Sequence, residues 1–405
     1  MDKSLKIAVV GQGYVGLPLA MSLCDAGREV FGIEVSTEKL RQLLSGESSI
    51  EDVSSRKIQE HLANSKYIPT NSFECISKCG TVIICVPTPL KQDQTPDLSH
   101  LESAVTNIAD FIEDGTLLVN ESTSYVGTVR EVIKPIIEKL KPDMRVYYST
   151  APERIDPRNE NWKIENTPRL VAGIDKESLD LAVHLYQSIC SSVIPIEKIE
   201  IAEMAKLLEN SFRLVNIALV NDLAKVARAY DIDVEDVIEA ASTKPYGFMP
   251  FHSGLGVGGH CIPVDPLYLT WSAQKVGLQS QIISIANQIN RERILEVAKT
   301  IKRENSTKEK IRIVGIGYKS GIADTRESPS LELIKMLRSE GFRVSWNDEL
   351  VTTWNEEIPE KGKDFDVLVY VHGLLNFDLE ELLLEGKKIY DLSGKFRQIQ
   401  GIIRP

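Results

Sequence analysis

Residues 6–16 read KIAVVGQGYVG, a short apolar run that ends in three spaced glycines. The run predicts a buried strand, and the residues after Gly16 have the apolar spacing of a helix. Gly11 would make the tight turn, Gly13 would let a pyrophosphate approach the backbone, and Gly16 would let the helix pack on the strand. The stretch therefore predicts the opening strand, turn and helix of a dinucleotide-binding domain.

An acidic residue stands where such a domain needs one. Glu34 ends the second predicted strand, EVFGIE, 18 residues after Gly16. A carboxylate there accepts hydrogen bonds from a ribose 2′-hydroxyl and repels a 2′-phosphate, so it favours NAD over NADP. The alternative is a tight turn between strand and helix that holds no ligand.

Strands and helices alternate on both sides of a helical middle section. TVIICVP, TLLVNES and RVYYSTAP continue the first series, and IRIVGIG, FRVSWND, DVLVYVH and KKIYDLS form a second. Such alternation predicts parallel, doubly wound sheets. Residues 196–230 have no glycine or proline and predict one long helix. We expect an α/β fold, with two Rossmann-like doubly wound domains joined by a long central helix and an all-α middle domain. The expected ranges are 1–195 for the NAD-binding domain, 196–301 for the central helical domain, 302–310 for a linker and 311–405 for the C-terminal domain.

Length and composition narrow the class of protein. A chain of 405 residues needs more than one core. Its formal net charge of −11 argues against nucleic acid or an anionic membrane as a general partner. No apolar run reaches the roughly 18 residues of a membrane span, and the N-terminal residues do not have the pattern of a signal peptide. We therefore expect a cytoplasmic protein. The spacing of the six cysteines is typical of neither a disulfide framework nor a zinc site, so we expect no metal.

Three polar residues share one face of the long predicted helix. Lys206, Asn210 and Arg213 are spaced four and three residues apart among apolar neighbours. A solvated stripe is the simpler interpretation of this spacing. A polar patch beside an interface is the alternative.

The stretch GVGGHCIPVDP, residues 256–266, surrounds one cysteine with glycines and prolines. A lone cysteine is usually a buried small apolar residue. Here the glycines would let the backbone reach a ligand, and Asp265 with Pro266 predicts the cap and first turn of a helix. A helix N-terminus favours a thiolate, so Cys261 is a candidate nucleophile.

A nucleophilic cysteine beside bound NAD indicates a particular oxidation. A thiolate that adds to an aldehyde forms a thiohemiacetal, which can lose a hydride to become a thioester, and water then releases a carboxylate. A lysine ammonium would stabilise the oxyanion, and an acidic residue would activate the water.

With these residues assembled, the chain resembles the UDP-glucose/GDP-mannose dehydrogenase family over essentially its full length. The resemblance rests on ordered motifs: GQGYVGLPLA, CVPTPL, ESTSYVGT, APERIDP, EMAKLLENSFR, GFMPFHSGLGVGGHCIPVDPLYL and GYKSGIADTRESP. The version TKPYGFMPF…GVGGHCIPVDP is most similar to the UDP-N-acetylglucosamine 6-dehydrogenase branch. The resemblance implies a four-electron oxidation of C6 of a UDP-sugar to the uronic acid with two NAD, and a homodimer or larger homo-oligomer paired through the long helix.

The resemblance also implies a role for individual residues. The implied catalytic residues are Cys261 as nucleophile, Lys206 and Asn210 at the oxyanion, and Asp265 and Glu153 for water and base chemistry. The implied cofactor-binding residues are Gly11, Gly13, Tyr14, Val15, Gly16, Glu34, Thr88, Thr123 and Arg326. The implied substrate-binding residues are Arg154, Phe251, Gly258 and Lys319.

The chain departs from the usual motifs at several positions, which are Val126, Ala151, Arg158, Ser320, Gly321 and Ala323. None is a presumed nucleophile or oxyanion residue. These departures leave a second hypothesis, a non-catalytic NAD or nucleotide-sugar binding module. A third hypothesis, a single-step two-electron dehydrogenase, leaves the stretch around Cys261 unexplained. The sequence does not distinguish the N-acetylglucosamine, N-acetylgalactosamine, N-acetylmannosamine and glucose substrates, because a few pocket contacts decide between them.

Overall fold

The computed structural model of the chain describes residues 5–156, 159 and 161–405. These residues form two compact units. The first unit contains the chain up to Glu209 and the segment Trp271–Val276, and the second contains Asn210–Thr270 and Gly277–Pro405. The predicted α/β fold with two separate sheets is confirmed.

The first unit is built on an eight-stranded sheet of order β3-β2-β1-β4-β5-β6-β7-β8. Its strands are β1 (Lys6–Val10), β2 (Glu29–Ile33), β3 (Tyr67–Thr70), β4 (Thr81–Ile84), β5 (Leu117–Asn120), β6 (Tyr147–Thr150), β7 (Arg169–Gly173) and β8 (Val193–Ile196). The first six strands are parallel and have the strand order of a dinucleotide-binding sheet. We did not predict β3, β7 and β8, and β7 runs antiparallel to β6.

Helices cover both faces of this sheet. They are α1 (Gly16–Asp25), α2 (Thr37–Leu44), α3 (Ser55–Ala63), α4 (Ser99–Phe111), α5 (Lys134–Leu140) and α6 (Lys176–Gln187), with a 3₁₀-helix at Phe73–Lys78 and a π-helix at Val129–Ile133. Alternate residues of β1 pack to opposite sides, Ile7 with Leu17 of α1 and Ala8 with Leu101 of α4. The strands are apolar along their length because both faces are covered.

The long helix α7 (Ile199–Ala229) is confirmed and has 31 residues. Three further helices follow, α8 (Val234–Ser242), α9 (Asp265–Lys275) and α10 (Gln281–Glu304). Asp233 caps α8, since its carboxylate accepts a hydrogen bond from the Glu235 amide. Asp265 is the first residue of α9, whereas the sequence predicted it as the cap before that helix.

A four-stranded parallel sheet completes the second unit, in the order β10-β9-β11-β12. Its elements are β9 (Lys310–Val314), α11 (Pro329–Ser339), β10 (Arg343–Asn347), β11 (Val367–Tyr370), α12 (Leu379–Leu384) and β12 (Lys388–Asp391). The core of this sheet packs against α10 and α11 through residues such as Ile294, Ile313 and Leu333. Loops after the strands of the two sheets carry part of the predicted site, whereas Lys206, Asn210, Cys261 and Asp265 lie on or between the helices α7 to α9.

Candidate active site

The glycine turn after β1 has the geometry that the sequence predicts. Gly11 has φ +93°, and a Cβ there would lie 2.5 Å from the Cys85 carbonyl oxygen. A Cβ at Gly16 would lie 1.9 Å from the Gly11 carbonyl oxygen, so the close approach of α1 requires glycine. A Cβ at Gly13 would meet no described atom within 4 Å. This pattern fits a dinucleotide, because the second glycine is the one that faces the phosphates.

Glu34 lies directly behind this turn and is buried. Its two carboxylate oxygens accept hydrogen bonds from the Gln12 amide at 3.2 Å and the Ser36 amide at 2.9 Å. Each carboxylate oxygen can accept more than one hydrogen bond, so the residue is fixed in position and can still receive a ribose hydroxyl. Gln12, which the sequence does not single out, is fully buried, and its side-chain carbonyl accepts a hydrogen bond from the Tyr67 hydroxyl at 2.8 Å. Tyr14 and Val15 are half-buried at the start of α1.

The loops after β4 and β5 are joined to each other. The Thr88 hydroxyl donates to the Thr123 carbonyl at 2.5 Å, and the Ser122 hydroxyl donates to the Val86 carbonyl at 2.8 Å. Both loops leave the carboxyl ends of adjacent parallel strands, which is where ligands bind in sheets of this class. The structure therefore brings Thr88 and Thr123, two predicted cofactor residues, together.

Glu153 and Arg154 follow β6 at the same edge of the sheet. The Glu153 carboxylate accepts a hydrogen bond from the Ile155 amide. Arg154 forms an ion pair with Glu209 of α7 at 2.7 Å and donates to the Pro168 carbonyl at 2.8 Å. The guanidinium predicted to meet the substrate is thus held by the protein on two sides.

Two of the three polar residues on α7 are buried. Lys206 is 7% exposed and Asn210 is 5% exposed, whereas Arg213 is exposed. The solvated stripe is therefore wrong for the first two residues and correct for Arg213. Burying a lysine ammonium is costly unless it is paired and hydrogen-bonded.

Cys261 is the one exposed cysteine among six free thiols. The glycines before it approach the protein itself, which differs from the expectation that they approach a ligand. A Cβ at Gly258 would lie 2.8 Å from Pro329, and a Cβ at Gly259 would lie 2.7 Å from the Tyr318 ring. The Gly259 amide also donates to the Arg326 carbonyl at 3.2 Å. The loop of residues 256–264 that carries Cys261, called the cysteine loop below, is therefore packed on the segment 318–329.

The cysteine loop leads directly to a buried polar pair. The Asp265 amide donates to the Cys261 carbonyl at 2.9 Å, which closes the turn before α9. The Asp265 carboxylate then accepts a hydrogen bond from the Asn210 amide group at 2.5 Å, and both side chains are buried. Three predicted catalytic residues, separated by up to 55 positions, therefore lie in one connected arrangement.

The segment 318–329 carries two further predicted residues. Lys319 is half-buried in the loop after β9. The exposed Arg326 guanidinium pairs with Asp324, with its Nε 2.9 Å from both carboxylate oxygens. Next to Cys261, burial and then the charge of Arg326 lower the pKa of His260, so this imidazole is neutral at pH 7.

Phe251 has an apolar environment in this structure. Its ring packs edge-on to Phe212 at 5.7 Å between centroids and contacts the cluster between α7 and α8.

The departure at Val126 has a structural reason. The Val126 amide donates to the Ser272 hydroxyl at 3.2 Å, and a proline there would lack this donor. Arg158 lies outside the described residues.

Two features are absent from the described part of the chain. No group of three or more His, Cys, Asp or Glu residues there could hold a metal ion. No helix there is long and apolar enough to cross a bilayer.

Models of one protein family match most of the chain in three consecutive pieces. Residues 5–190 match the NAD binding domain of the UDP-glucose/GDP-mannose dehydrogenase family, residues 200–292 its central domain, and residues 312–390 its UDP binding domain. The three matches occur in the chain order of the two sheets and the helices between them.

Individual relatives span nearly the whole chain. The UDP-N-acetyl-D-mannosamine dehydrogenase of Pyrococcus horikoshii is 34% identical, over 90% of this chain and 88% of the relative. The UDP-N-acetyl-D-glucosamine 6-dehydrogenase of Salmonella typhi is also 34% identical, over 86% and 83%. A solved UDP-D-ManNAc dehydrogenase structure from Pyrococcus horikoshii superposes with a TM-score of 0.87 at 30% identity, covering 99% of this chain and 96% of that one.

Proposed function

Because the chain belongs to the UDP-glucose/GDP-mannose dehydrogenase family and is an NAD-dependent dehydrogenase, we propose that it oxidises C6 of a UDP-N-acetylhexosamine to the uronic acid through a covalent bond to Cys261. One observation carries this proposal. The exposed cysteine is tied through its carbonyl to Asp265, whose carboxylate is bonded to Asn210. A cysteine with only a packing role would be buried, as the other five cysteines are.

The cofactor end of the first unit would hold NAD. The turn at Gly11, Gly13 and Gly16, with Tyr14 and Val15, would bind the pyrophosphate at the start of α1. Glu34 would accept the ribose hydroxyls, and Thr88, Thr123 and Arg326 would complete the cofactor contacts. Bound NAD supplies the hydride acceptor, so a four-electron oxidation consumes two NAD per sugar.

The covalent step belongs to Cys261. After the C6 alcohol becomes an aldehyde, the thiolate sulfur adds to the aldehyde carbon, and the carbonyl oxygen takes the negative charge. The buried ammonium of Lys206 and an N–H of Asn210 would stabilise that oxyanion. Loss of the C6 hydrogen as a hydride then leaves a thioester on the cysteine.

The last step releases the product. Glu153 would accept a proton from a water molecule as the water oxygen attacks the thioester carbon, and Asp265 would orient that water. The carbon–sulfur bond breaks and the thiolate is restored. Arg154, Phe251, Gly258 and Lys319 would bind the UDP-sugar, with Arg154 exchanging its bond to Glu209 for the substrate.

The substrate that we propose first is UDP-N-acetylglucosamine, because the cysteine segment is most similar to that branch and a glucosamine relative is 34% identical. UDP-N-acetylmannosamine is the second candidate, since relatives of that name are equally identical and the structure superposes on one of them. The two sugars differ in configuration at one carbon, so the same site chemistry serves either.

We also propose that a second copy of the chain covers α7. Apolar side chains on this helix are exposed at helical spacing, namely Ile201, Met204, Leu208, Leu219, Leu223 and Val226. A row of this length along a 31-residue helix is typical of an interface between helices. We propose a cytoplasmic location because all six cysteines are free thiols, as is usual in reducing compartments.

The stoichiometry of NADH tests this function. With UDP-N-acetylglucosamine limiting, we expect about two NADH per sugar, because each hydride reduces one NAD. Cys261→Ser should lose the second oxidation and still bind NAD, whereas the control Cys190→Ala should keep both. One NADH per sugar in the unaltered enzyme would mean that the aldehyde is the product. If neither UDP-N-acetylglucosamine nor its mannosamine, galactosamine and glucose analogues gave any NADH, the chain would be a binding module.

A further inference from the structure

Glu203 is a buried carboxylate to which the mechanism above gives no role. It lies on α7 and is 5% exposed. One carboxylate oxygen accepts a hydrogen bond from the Gly127 amide at 2.6 Å, and the other accepts one from the Val129 amide at 3.1 Å. Val129 opens the π-helix, so Glu203 satisfies a backbone donor that has no partner inside that helix.

The segment that Glu203 holds is the loop after β5. Its first residues are fixed to the neighbouring loop by the bonds from Thr88 to Thr123 and from Ser122 to Val86. Its last residues are fixed by Glu203. The loop that carries Thr123 is therefore attached at one end to the loop after β4 and at the other end to α7.

Glu203 lies on the same helix as Lys206, close to it in sequence. Lys206 is three residues further along α7, which is about one turn, and it is also buried. Because a helix turn is stiff, the distance between the loop and the Lys206 backbone depends on the two bonds that Glu203 makes.

Capping a helix with a buried carboxylate costs free energy, because the charge is removed from water. Burial raises the pKa of Glu203 to about 7, although the two backbone donors oppose that shift. Serine or asparagine can cap one amide at no such cost. What a carboxylate adds is two acceptors in one plane, which fix two amides in direction as well as distance.

We propose that Glu203 is a positioning residue for the oxidation, which fixes the Thr123 loop at the cofactor end relative to Lys206. This inference rests on the proposed function, in which Thr123 contacts NAD and Lys206 stabilises the oxyanion. Glu203 acts through the loop backbone and does not itself touch the reacting atoms.

A matched control lies one turn earlier on the same helix. Glu200 is more exposed and forms an ion pair with Arg130, in the π-helix that Glu203 caps, at 2.7 Å. Exposed pairs of this kind contribute little. Glu200→Gln thus alters the same helix and the same neighbourhood without altering the two buried bonds.

The experiment compares Glu203→Gln, Glu203→Asp and Glu200→Gln by direct NAD titration and by steady-state kinetics. A glutamine side chain has one oxygen acceptor and one NH₂ donor. It can therefore keep the hydrogen bond from one of the two backbone amides, but its NH₂ group would face the other amide, donor to donor. We expect the Kd and KM for NAD to rise about tenfold in Glu203→Gln, as for the loss of one hydrogen bond to a charged group. The KM for the UDP-sugar should stay within about twofold, because uniform binding of the sugar is untouched.

Glu203→Asp keeps the carboxylate on a side chain that is one methylene shorter. Its Kd for NAD should therefore fall between those of the unaltered enzyme and Glu203→Gln. Glu200→Gln should match the unaltered enzyme. A Glu203→Gln enzyme that loses thermal stability but keeps its Kd for NAD would overturn the proposal and leave a helix cap alone. Equal weakening of NAD and UDP-sugar binding would also overturn it. Because NAD titration needs no turnover, these outcomes stay distinct from failure of the proposed function.

Discussion

The side-chain amide of Asn210 donates a hydrogen bond to the carboxylate of Asp265 at 2.5 Å. The first residue lies on α7 and the second begins α9, directly after the turn closed by Cys261. Since the nitrogen of Asn210 carries two N–H donors, bonding one to Asp265 fixes the direction of the other. A preorganised donor of this kind is what stabilisation of an oxyanion requires.

Replacing Asn210 should therefore affect the rate more than binding. We expect Asn210→Ala to lower kcat by about 10²- to 10³-fold, as for the loss of one oxyanion donor. The control is Asn216→Ala on the same helix, whose side-chain amide donates a hydrogen bond to the Phe212 carbonyl at 2.7 Å. Steady-state kinetics at saturating NAD would test this. An Asn210→Ala enzyme with unchanged kcat would remove Asn210 from the proposed mechanism.

Thiol labelling should separate Cys261 from the other cysteines. Burial raises the pKa of Cys24 to about 12, of Cys75 to about 11 and of Cys79 to about 12, so these thiols react slowly. A thiol reagent should therefore modify one cysteine per native chain and six after denaturation. Cys261→Ser should remove the native reaction. Rapid native labelling of a second cysteine would contradict the burial described here.

The glycine turn offers a test of the nucleotide site that leaves packing unchanged. A Cβ at Gly13 would meet no described atom within 4 Å, so Gly13→Ala should fold normally. We expect its Kd for NAD to rise more than about tenfold, because the backbone there approaches the pyrophosphate. Gly362→Ala, equally open and without a positive φ, is the control. Calorimetric titration with NAD measures both variants, and unchanged binding by Gly13→Ala would argue against the site.

The sequence predicts the parts of this molecule that depend on local pattern. The strand, turn and helix around Gly11 and the uninterrupted α7 follow from apolar spacing and from where glycine and proline occur. The antiparallel pairing of β7 could not be predicted in the same way, because the neighbouring strand, and not the residues of RLVAG themselves, decides the direction of pairing. Nor could Glu203 be singled out, since a glutamate in a helix is usually solvated, and only the folded loop presents it with two amides.

The glycines before Cys261 show the same limit. Their number correctly indicates a close approach, but the partner of that approach is the segment 318–329, which is distant in sequence. Likewise, Lys206 and Asn210 have the spacing of a solvated stripe, and their burial depends on elements that pack against α7. Tertiary contacts decide these cases, and local sequence does not encode them.

Removing one member of a buried charge cluster in the first unit should destabilise the fold strongly. Glu121, just after β5, pairs with Arg169 of β7 and accepts a hydrogen bond from the Tyr186 hydroxyl. Arg169 also donates to the Ala151 carbonyl at 2.9 Å, two residues before Glu153. Tyr186→Phe should cost about 1–3 kcal/mol, since it leaves a buried acceptor short of a donor. Arg169→Met should cost about 3–5 kcal/mol, because it leaves a buried carboxylate unpaired. Urea unfolding would rank the two variants, and the reverse order would contradict this account.

The titration of Glu203 should appear in the pH dependence of stability. Burial raises its folded-state pKa from 4.5 to about 7, so the folded protein binds a proton that the unfolded chain has lost between these values. The contribution of Glu203 to stability is therefore lost as pH rises from about 4.5 to 7 and is constant above that range.

Glu203→Gln cannot ionise and serves as the reference. Other carboxylates titrate in both proteins, so their effects cancel in the difference between the two free energies of unfolding. Between pH 5.5 and pH 8, we expect the unaltered protein to lose about 2 kcal/mol relative to Glu203→Gln. Urea unfolding of both proteins at the two pH values measures this difference. A difference that stays constant with pH would show that Glu203 ionises at its ordinary pKa, and that its burial is less complete than described here.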